Sequence, residues 1–558
     1  MVKNYKSLLL AFISAWFIVN LLQAAYTEVI GDEAYYWLYS KYLAWGYFDH
    51  PPMVALLVKI SSFFFKGNLG IRFMTVLLQS LTIILTWKII DDTRPDIERA
   101  WSFIIIIGST CVFSMYGFIT TPDAPLIFFT AFFLYYYKKF LSDQSWKNIL
   151  ILSCSIAGLV YSKYHGVLVA GLVILSNLKL LKGYRIWMVG FFSLILLMPH
   201  IWWQVSNDFP TMKFQVVDRA ESFRWFYLLE YLPNQMALFN PFIFGAVMFL
   251  IFRNKPRDYF ERALYFVIFG FLGFFGLTAL RGHVEPHWTA SCAVPLVILL
   301  YRGTIENPGI FRFIRRAALP VGFLLLIGRV VIVTDLPFVV RLGFAGKEEE
   351  IKNIESDAKE LPVVFPGTYQ YSSLYKFFTG KEAFTISSLY SRLTQFDLWQ
   401  REKKYNNSKV FVFSQGNEFL GMHARDRLNT CGFIAGSLQT VNRVTVDVSP
   451  KLDIMTSGDS LSLSVTLKNP YDYDIDFNHK DFPVQVCMAF VRYEEVDLFP
   501  VSLSEQPGIL KKGEARTLNA SAVVPGLQPG KYHFGICLKT LLGPAINNSF
   551  SAIKVEKR

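Results

Sequence analysis

The chain has 558 residues, 53% of them hydrophobic and only 18% charged, short of the quarter of charged residues that an ordinary soluble protein carries. The deficit excludes a purely water-soluble enzyme and it is uneven: apolar blocks separated by short basic turns fill the first 340 residues, while the rest has a soluble composition. The formal net charge of +12 concentrates where inner loops of a membrane protein belong, so it implies no nucleic acid.

Residues 8–26 follow Lys3 and Lys6 and have the look of a secretion signal. The stretch is too long, lacks a small-residue cleavage site and is followed by many more apolar windows, so it reads as a retained first helix. Further windows fall at 71–90, 101–119, 124–137, 149–161, 166–178, 186–203, 231–252, 263–280, 288–301 and 317–336. A span needs roughly 20 residues to cross a ~30 Å hydrocarbon layer, so the three windows between 124 and 178 must borrow flanking residues or tilt. The expectation is a polytopic α-helical membrane protein of about 11 transmembrane helices.

Basic residues set its orientation. A cytoplasmic N-terminus puts Lys138, Lys139 and Lys147, then Lys179, Lys182 and Arg185, then Arg253, Lys255, Arg257 and Arg262, and finally Arg312, Arg315 and Arg316 inside. Everything after Leu336 then lies outside, on the face that holds Asp32. Between the first two windows, Pro51-Pro52 precedes about a dozen apolar residues, too few to span. They read as an interfacial helix with Lys59 reaching toward headgroups.

The first 340 residues are thus expected to form the membrane domain. Residues 341–435 read as a small α/β unit, with strands at 362–365 and 409–413 flanking helices near 371–378 and 388–405. Residues 436–558 change rhythm: Leu461 to Leu467 alternates, 484–493 and 532–539 read as strands, and Asn469-Pro470, Gly513 and Pro529-Gly530 mark turns. That pattern suggests an immunoglobulin-like β-sandwich. The six cysteines show no metal-site spacing. Cys487 and Cys537 fall on two predicted strands, where a disulfide stays open, and Cys431 is left over.

Chemistry-bearing residues gather at helix junctions of the outer face. Asp32 and Glu33 are an acidic helix start and, equally, carboxylates from which a general base could meet an acceptor hydroxyl. Thr121-Pro122-Asp123 is a second acidic helix start. His50, beside Asp49 and stiffened by Pro51-Pro52, has a donor for an anionic oxygen; Arg72 is a permanently charged alternative. Lys163 and His165 sit at another junction, where snorkelling competes with phosphate capture. Glu285, His287 and Trp288 form a third dense group that could position a sugar or a divalent ion, only loosely like a metal site. His200 with Trp202 and Trp203 reads either as an aromatic belt or as a sugar platform. No Walker motif, dinucleotide fingerprint or serine elbow is present.

As an ordered set, Gly31-Asp32-Glu33-Ala34-Tyr35-Tyr36, Gly46-Tyr47-Phe48-Asp49-His50-Pro51-Pro52-Met53 and Thr121-Pro122-Asp123-Ala124-Pro125-Leu126 make residues 1–336 resemble the GT-C glycosyltransferases of family 39. That family contains the protein O-mannosyltransferases and the bacterial aminoarabinose transferases acting on lipid A; Lys163 and Pro286-His287-Trp288 also resemble its landmarks. The resemblance implies an inverting transferase that takes a sugar from a polyprenyl phosphate outside the cytoplasm of a bacterial inner membrane and passes it to a lipid, glycan or protein. It implies Asp32 as the catalytic carboxylate and Asp123 as the second acidic landmark. Donor phosphate or sugar contacts are expected from His50, Arg72, Lys163, Glu33, Tyr35, His165, Glu285 and His287. No cofactor is required on this reading, and a divalent metal is unassigned. His50 stands where the aminoarabinose transferases have a lysine before Pro-Pro, which moves part of the phosphate contact onto Arg72 or Lys163. The span number is lower than in those enzymes, and the C-terminal sandwich is not a general family feature. A transporter or flippase of a lipid-linked glycan, and a non-catalytic envelope assembly protein, are the rival readings.

Overall fold

The computed structural model describes residues 4–214, 223–334, 336–413, 432–493 and 495–557. The chain divides into two compact units, Met1–Lys347 and Glu348–Arg558.

The first unit is helical. Asn4 caps α1 (Tyr5–Tyr26) by accepting from the Ser7 amide at 2.8 Å, and a short α2 (Gly31–Lys41) follows. The helix after Pro52 is α3 (Met53–Phe64), with Val54, Ala55, Leu57, Val58 and Ser61 buried on one face. Lys59 and the terminal Phe63 and Phe64 are exposed, as an interfacial helix requires. Next come α4 (Gly67–Ile90), α5 (Ile97–Gly108), α6 (Cys111–Met115), α7 (Asp123–Ser142), α8 (Trp146–Ser162), α9 (His165–Ser176) and α10 (Tyr184–Ser206). The unit continues through α11 (Pro210–Lys213), α12 (Trp225–Phe239), α13 (Pro241–Arg253), α14 (Tyr259–Thr278), a 3-10 turn at Pro286–Cys292 running into α15 (Ala293–Glu306), and α16 (Pro308–Ile332).

All eleven apolar windows are helical, yet two are broken. The 101–119 window splits between α5 and α6, and the 231–252 window splits into α12 and α13, which meet at 101°. Both breaks have one cause. Asn240 takes φ 69°, caps α13 by accepting from the Phe242 amide at 3.0 Å, and donates from Nδ2 to the Ser109 carbonyl at 3.0 Å, the carbonyl freed where α5 ends. Pro241 has no amide to continue α12. Among the described residues, five helices are long and apolar enough to cross a membrane, or six if the bent pair is one span. The protein is a largely helical, membrane-spanning protein with those five or six candidate spans. The segment Pro286–Glu306 is the most enclosed of them, whereas α10 is mostly at the surface.

In the second unit, β1 (Val363–Pro366) pairs in parallel with β2 (Ala383–Ile386) and β3 (Val410–Phe413), and β4 (Gly432–Ala435) joins β3 antiparallel. The helix expected near 388–405 shrinks to Gln395–Trp399 and a 3-10 turn at Arg401–Tyr405, because Gln400 turns left-handed between them. Two larger sheets follow, besides a two-stranded pairing of Ile475–Asp476 with Ile509–Leu510. One pairs Ser460–Lys468 with Ala515–Val523 and Thr445–Ser449; the other sets Gln485–Arg492 between Glu495–Pro500 and Gly530–Thr540. Leu463, Val465 and Leu467 from the first share one apolar cluster with Met488, Phe490, Phe534 and Ile536 from the second, which explains the alternation. Cys487 and Cys537 are direct cross-strand partners and both are free thiols. Cys431 lies outside the described residues.

Candidate functional site

The acidic turn after α1 is built around a buried ion pair. Glu33, fully buried in the first turn of α2, accepts from Arg72 Nε at 2.7 Å through Oε1 and pairs with Arg72 Nη2 through Oε2. The guanidinium also donates from Nη1 to the carbonyls of Ala24 (3.1 Å) and Thr27 (2.6 Å) and from Nη2 to Glu28 (2.8 Å). All five of its N–H groups are thereby spent. Arg72, expected as a phosphate ligand, is fully buried here with its guanidinium donors engaged inside the protein. Glu33, expected at the donor, is fully buried as well, with both oxygens bonded to Arg72.

Glu33 Oε1 takes a further bond, from the Thr120 amide at 2.8 Å, and Thr120 Oγ1 meets Thr75 Oγ1 on α4 at 2.8 Å. One carboxylate therefore ties the turn that carries Asp32 to the turn that carries Thr121-Pro122-Asp123. Asp32 itself is half-buried at the second residue of α2.

Asp123 opens α7 and is 2% exposed. Lys163 Nζ donates to both its oxygens, at 2.9 and 3.0 Å, and His287 Nε2 stands 3.8 Å from Oδ2. His165 is held between Phe275 and Trp288, with ring centroids at 4.9 and 5.7 Å, and its Nδ1 has no hydrogen-bond partner. It lies within electrostatic reach of Lys163, Asp123, His287 and His50. Residues from four separated junctions thus converge: Asp123, Lys163 with His165, His287, and the His50 turn.

That last turn is held by phenols. Tyr39 donates to the buried Asp49 carboxylate, and its ring stacks on Tyr47 at 4.0 Å and 2°. Tyr47 donates to the Tyr39 carbonyl at 3.0 Å, and burial pushes its phenol up to about 12, so it stays a donor at physiological pH. Behind it, Thr211 donates to the Tyr47 carbonyl at 3.1 Å, Gln204 donates to Thr211 and Tyr164, and His200 bonds the Trp45 carbonyl and the Tyr164 hydroxyl at 2.6 and 3.0 Å. The backbone of Gly46 lies so close to the Trp203 ring that a Cβ there would come within 2.4 Å of it. This network leaves His50 half-buried, its ring 5.6 Å from Tyr36.

Two other expected contacts shift. Tyr35, expected at the donor, is 1% exposed and packs its ring on Tyr39 at 4.6 Å. Glu285 faces His283 at 3.8 Å, and His283 bonds Glu230 at 2.6 Å. Glu285 and His287 therefore point to different partners. Among the described residues no three His, Cys, Asp or Glu side chains are grouped to hold a metal ion. Sequence reading missed the Tyr39–Asp49 bond and Glu230; Asp49 was in view, but nothing in its spacing named a phenol ten residues earlier.

Against known proteins, a family model described as dolichyl-phosphate-mannose-protein mannosyltransferase matches residues 49–203. The lipid A galacturonosyltransferase RgtD of Rhizobium johnstonii is 25% identical over 242 residues, covering 41% of this chain. The match spans 50% of that protein, about half its length. ArnT from Cupriavidus metallidurans in its apo crystal structure superposes with a TM-score of 0.55 at 12% identity, over 75% of this chain and 94% of ArnT. The same protein bound to undecaprenyl phosphate gives 0.53 at 13% identity, over 76% of this chain and 97% of ArnT. The two superpositions show that this chain shares its architecture with ArnT.

Proposed function

We propose that this chain is an inverting glycosyltransferase that moves a sugar from a polyprenyl phosphate to an acceptor on the outer face of a bacterial inner membrane. The observation that carries the reading is the Glu33 carboxylate shared by Arg72 and the Thr120 amide, which joins the two acidic turns into one site. In the single displacement, Asp32 takes or orients the acceptor hydroxyl proton while the oxygen attacks the anomeric carbon opposite the phosphate. The bond to the phosphate oxygen breaks and the polyprenyl phosphate leaves with both electrons. Cations placed beforehand steady that developing charge. Lys163 as a cation and His50 as an N–H donor are available for it, since Arg72 is committed to Glu33; Asp123 positions Lys163 and His287. The undecaprenyl phosphate bound by ArnT supports the donor class. The relatives' names make polyprenyl-phosphate galacturonose and mannose, beside aminoarabinose, the first labelled donors to offer to membranes, with the label followed into lipid, glycan and protein fractions.

His50→Ala is expected to raise the donor KM several-fold, by about 1 kcal/mol or more for a lost charge-assisted contact, and to leave the acceptor KM near its wild-type value. Unchanged donor dependence would remove His50 from the phosphate site. The basic inner loops further orient the chain with its N-terminus cytoplasmic and its C-terminal unit periplasmic. A phosphatase reporter fused after residue 558, active only outside, should therefore be active; an inactive fusion with full expression reverses the orientation and takes the outer site with it.

A further inference from the structure

A second polar cluster lies apart from the Asp32 and Asp123 turns, at the seam between α1 and α16. Arg329, in the last turn of α16, is 2% exposed in a chain segment whose neighbours Ile327 and Val330 are open to the surroundings. Its Nη2 donates to Asn20 Oδ1 at 2.7 Å, its Nε reaches Gln23 Oε1 at 3.5 Å, and its guanidinium carbon stands 5.6 and 5.0 Å from the ring centres of Trp16 and Phe118. Trp16, Asn20, Gln23 and Thr27 form one stripe of α1 at helical spacing, and Gln23 Nε2 bonds both Thr27 Oγ1 and the Arg329 carbonyl.

The donor count does not close. Trp16 Nε1, Asn20 Nδ2 and Arg329 Nη1 are all buried without a hydrogen-bond partner. Among the described residues no carboxylate pairs with Arg329; its acceptors are two neutral amides and two ring faces. A buried cation and unmet donors both cost free energy, and an ionisable group kept inside a membrane domain marks a binding or transport role. A water molecule offers two lone pairs and leaves the charge uncompensated. A phosphate offers several anionic oxygens and answers both deficits. Val19 and Leu22 on α1, like Ile327 and Val330 on α16, are exposed, so the apolar outer side chains of this seam cover the cluster. Arg329 lies in the last turn of α16, and its partners on α1 run from Gln23 in the last turn back to Trp16, ten residues before the helix end.

We propose that Trp16, Asn20 and Arg329 form a second anion site that takes the phosphate of a membrane lipid, distinct from the donor site. The phosphate is either the diester of a bilayer phospholipid or the monoester of a polyprenyl phosphate, and the test separates them. Full-length protein in detergent is titrated with phosphatidylglycerol, polyprenyl phosphate, neutral diacylglycerol or inorganic phosphate, and bound equivalents are counted by native mass spectrometry. Asn20→Asp places a carboxylate against the guanidinium and is expected to raise Tm while weakening one lipid-phosphate equivalent about tenfold or more. Arg329→Gln should lose the same equivalent, and Arg329→Lys should keep it. Loss in the phosphatidylglycerol arm alone assigns a phospholipid; loss of a second equivalent in the polyprenyl phosphate arm alone assigns the monoester. Binding of inorganic phosphate alone, or lipid-phosphate counts unchanged in a folded Asn20→Asp, overturns the proposal and leaves the cluster as a helix-to-helix contact.

Discussion

Asp32→Asn is expected to lower sugar transfer by about 10²- to 10⁴-fold, the range for losing a positioned general base, while Tm stays within about 1 °C of wild type because the substitution is isosteric and leaves Glu33 and Arg72 in place. Asp32 is half-buried beside a fully buried neighbour, so the two carboxylates of the acidic turn have opposite fates. Glu33 is tied to Arg72 and the Thr120 amide, and the proposed function gives Asp32 the acceptor proton. Turnover by Asp32→Asn at more than a tenth of wild type would take the proton-handling role away from it. A large fall in Tm would show instead that Asp32 belongs to the scaffold.

The second large effect concerns that scaffold. Arg72→Met leaves the Glu33 carboxylate buried without its cation, and breaking one side of a buried pair costs about 3–5 kcal/mol. Tm should drop by several degrees, and detergent-solubilised protein should unfold early. The double variant Glu33→Gln/Arg72→Met removes both charges and should recover a good part of the loss, since an uncharged replacement of a buried pair is often close to neutral. The measurement is a thermal melt of the wild type, both single variants and the double variant. If Arg72→Met melts like wild type and only the donor KM rises, Arg72 is a phosphate ligand after all, and the geometry described above does not govern the working enzyme.

Hydropathy located every helical window of the first unit because lipid-facing and core residues are both apolar, which is a long-range average over each window. It could not locate the breaks at Ser109 and Asn240. Those depend on one amide side chain reaching a carbonyl more than a hundred residues away, although Asn240-Pro241 was a turn signal in plain view. The chemistry-bearing junctions were legible because carboxylates and histidines are conspicuous beside apolar spans. Their pairings were not. Glu33 and Arg72 are 39 residues apart and Asp123 and Lys163 are 40 apart, so their meeting is decided by how helices cross. The burial of Tyr35 was not legible for a related reason: an aromatic residue says nothing of which helix face it occupies. The Trp16, Asn20, Gln23 and Thr27 stripe could have been found, since polar residues recurring at three- and four-residue steps in an apolar span are visible in sequence.

The transferase reading and its transport rival part most clearly in one experiment. Purified wild-type protein in sealed proteoliposomes is given a polyprenyl phosphate carrying a labelled sugar together with an acceptor extract, and the product is examined by NMR at the anomeric carbon. The account predicts label on a new acceptor with inverted anomeric configuration, and none of it with Asp32→Asn. Label that stays on the intact polyprenyl donor but changes leaflet, equally in wild type and Asp32→Asn, would contradict it.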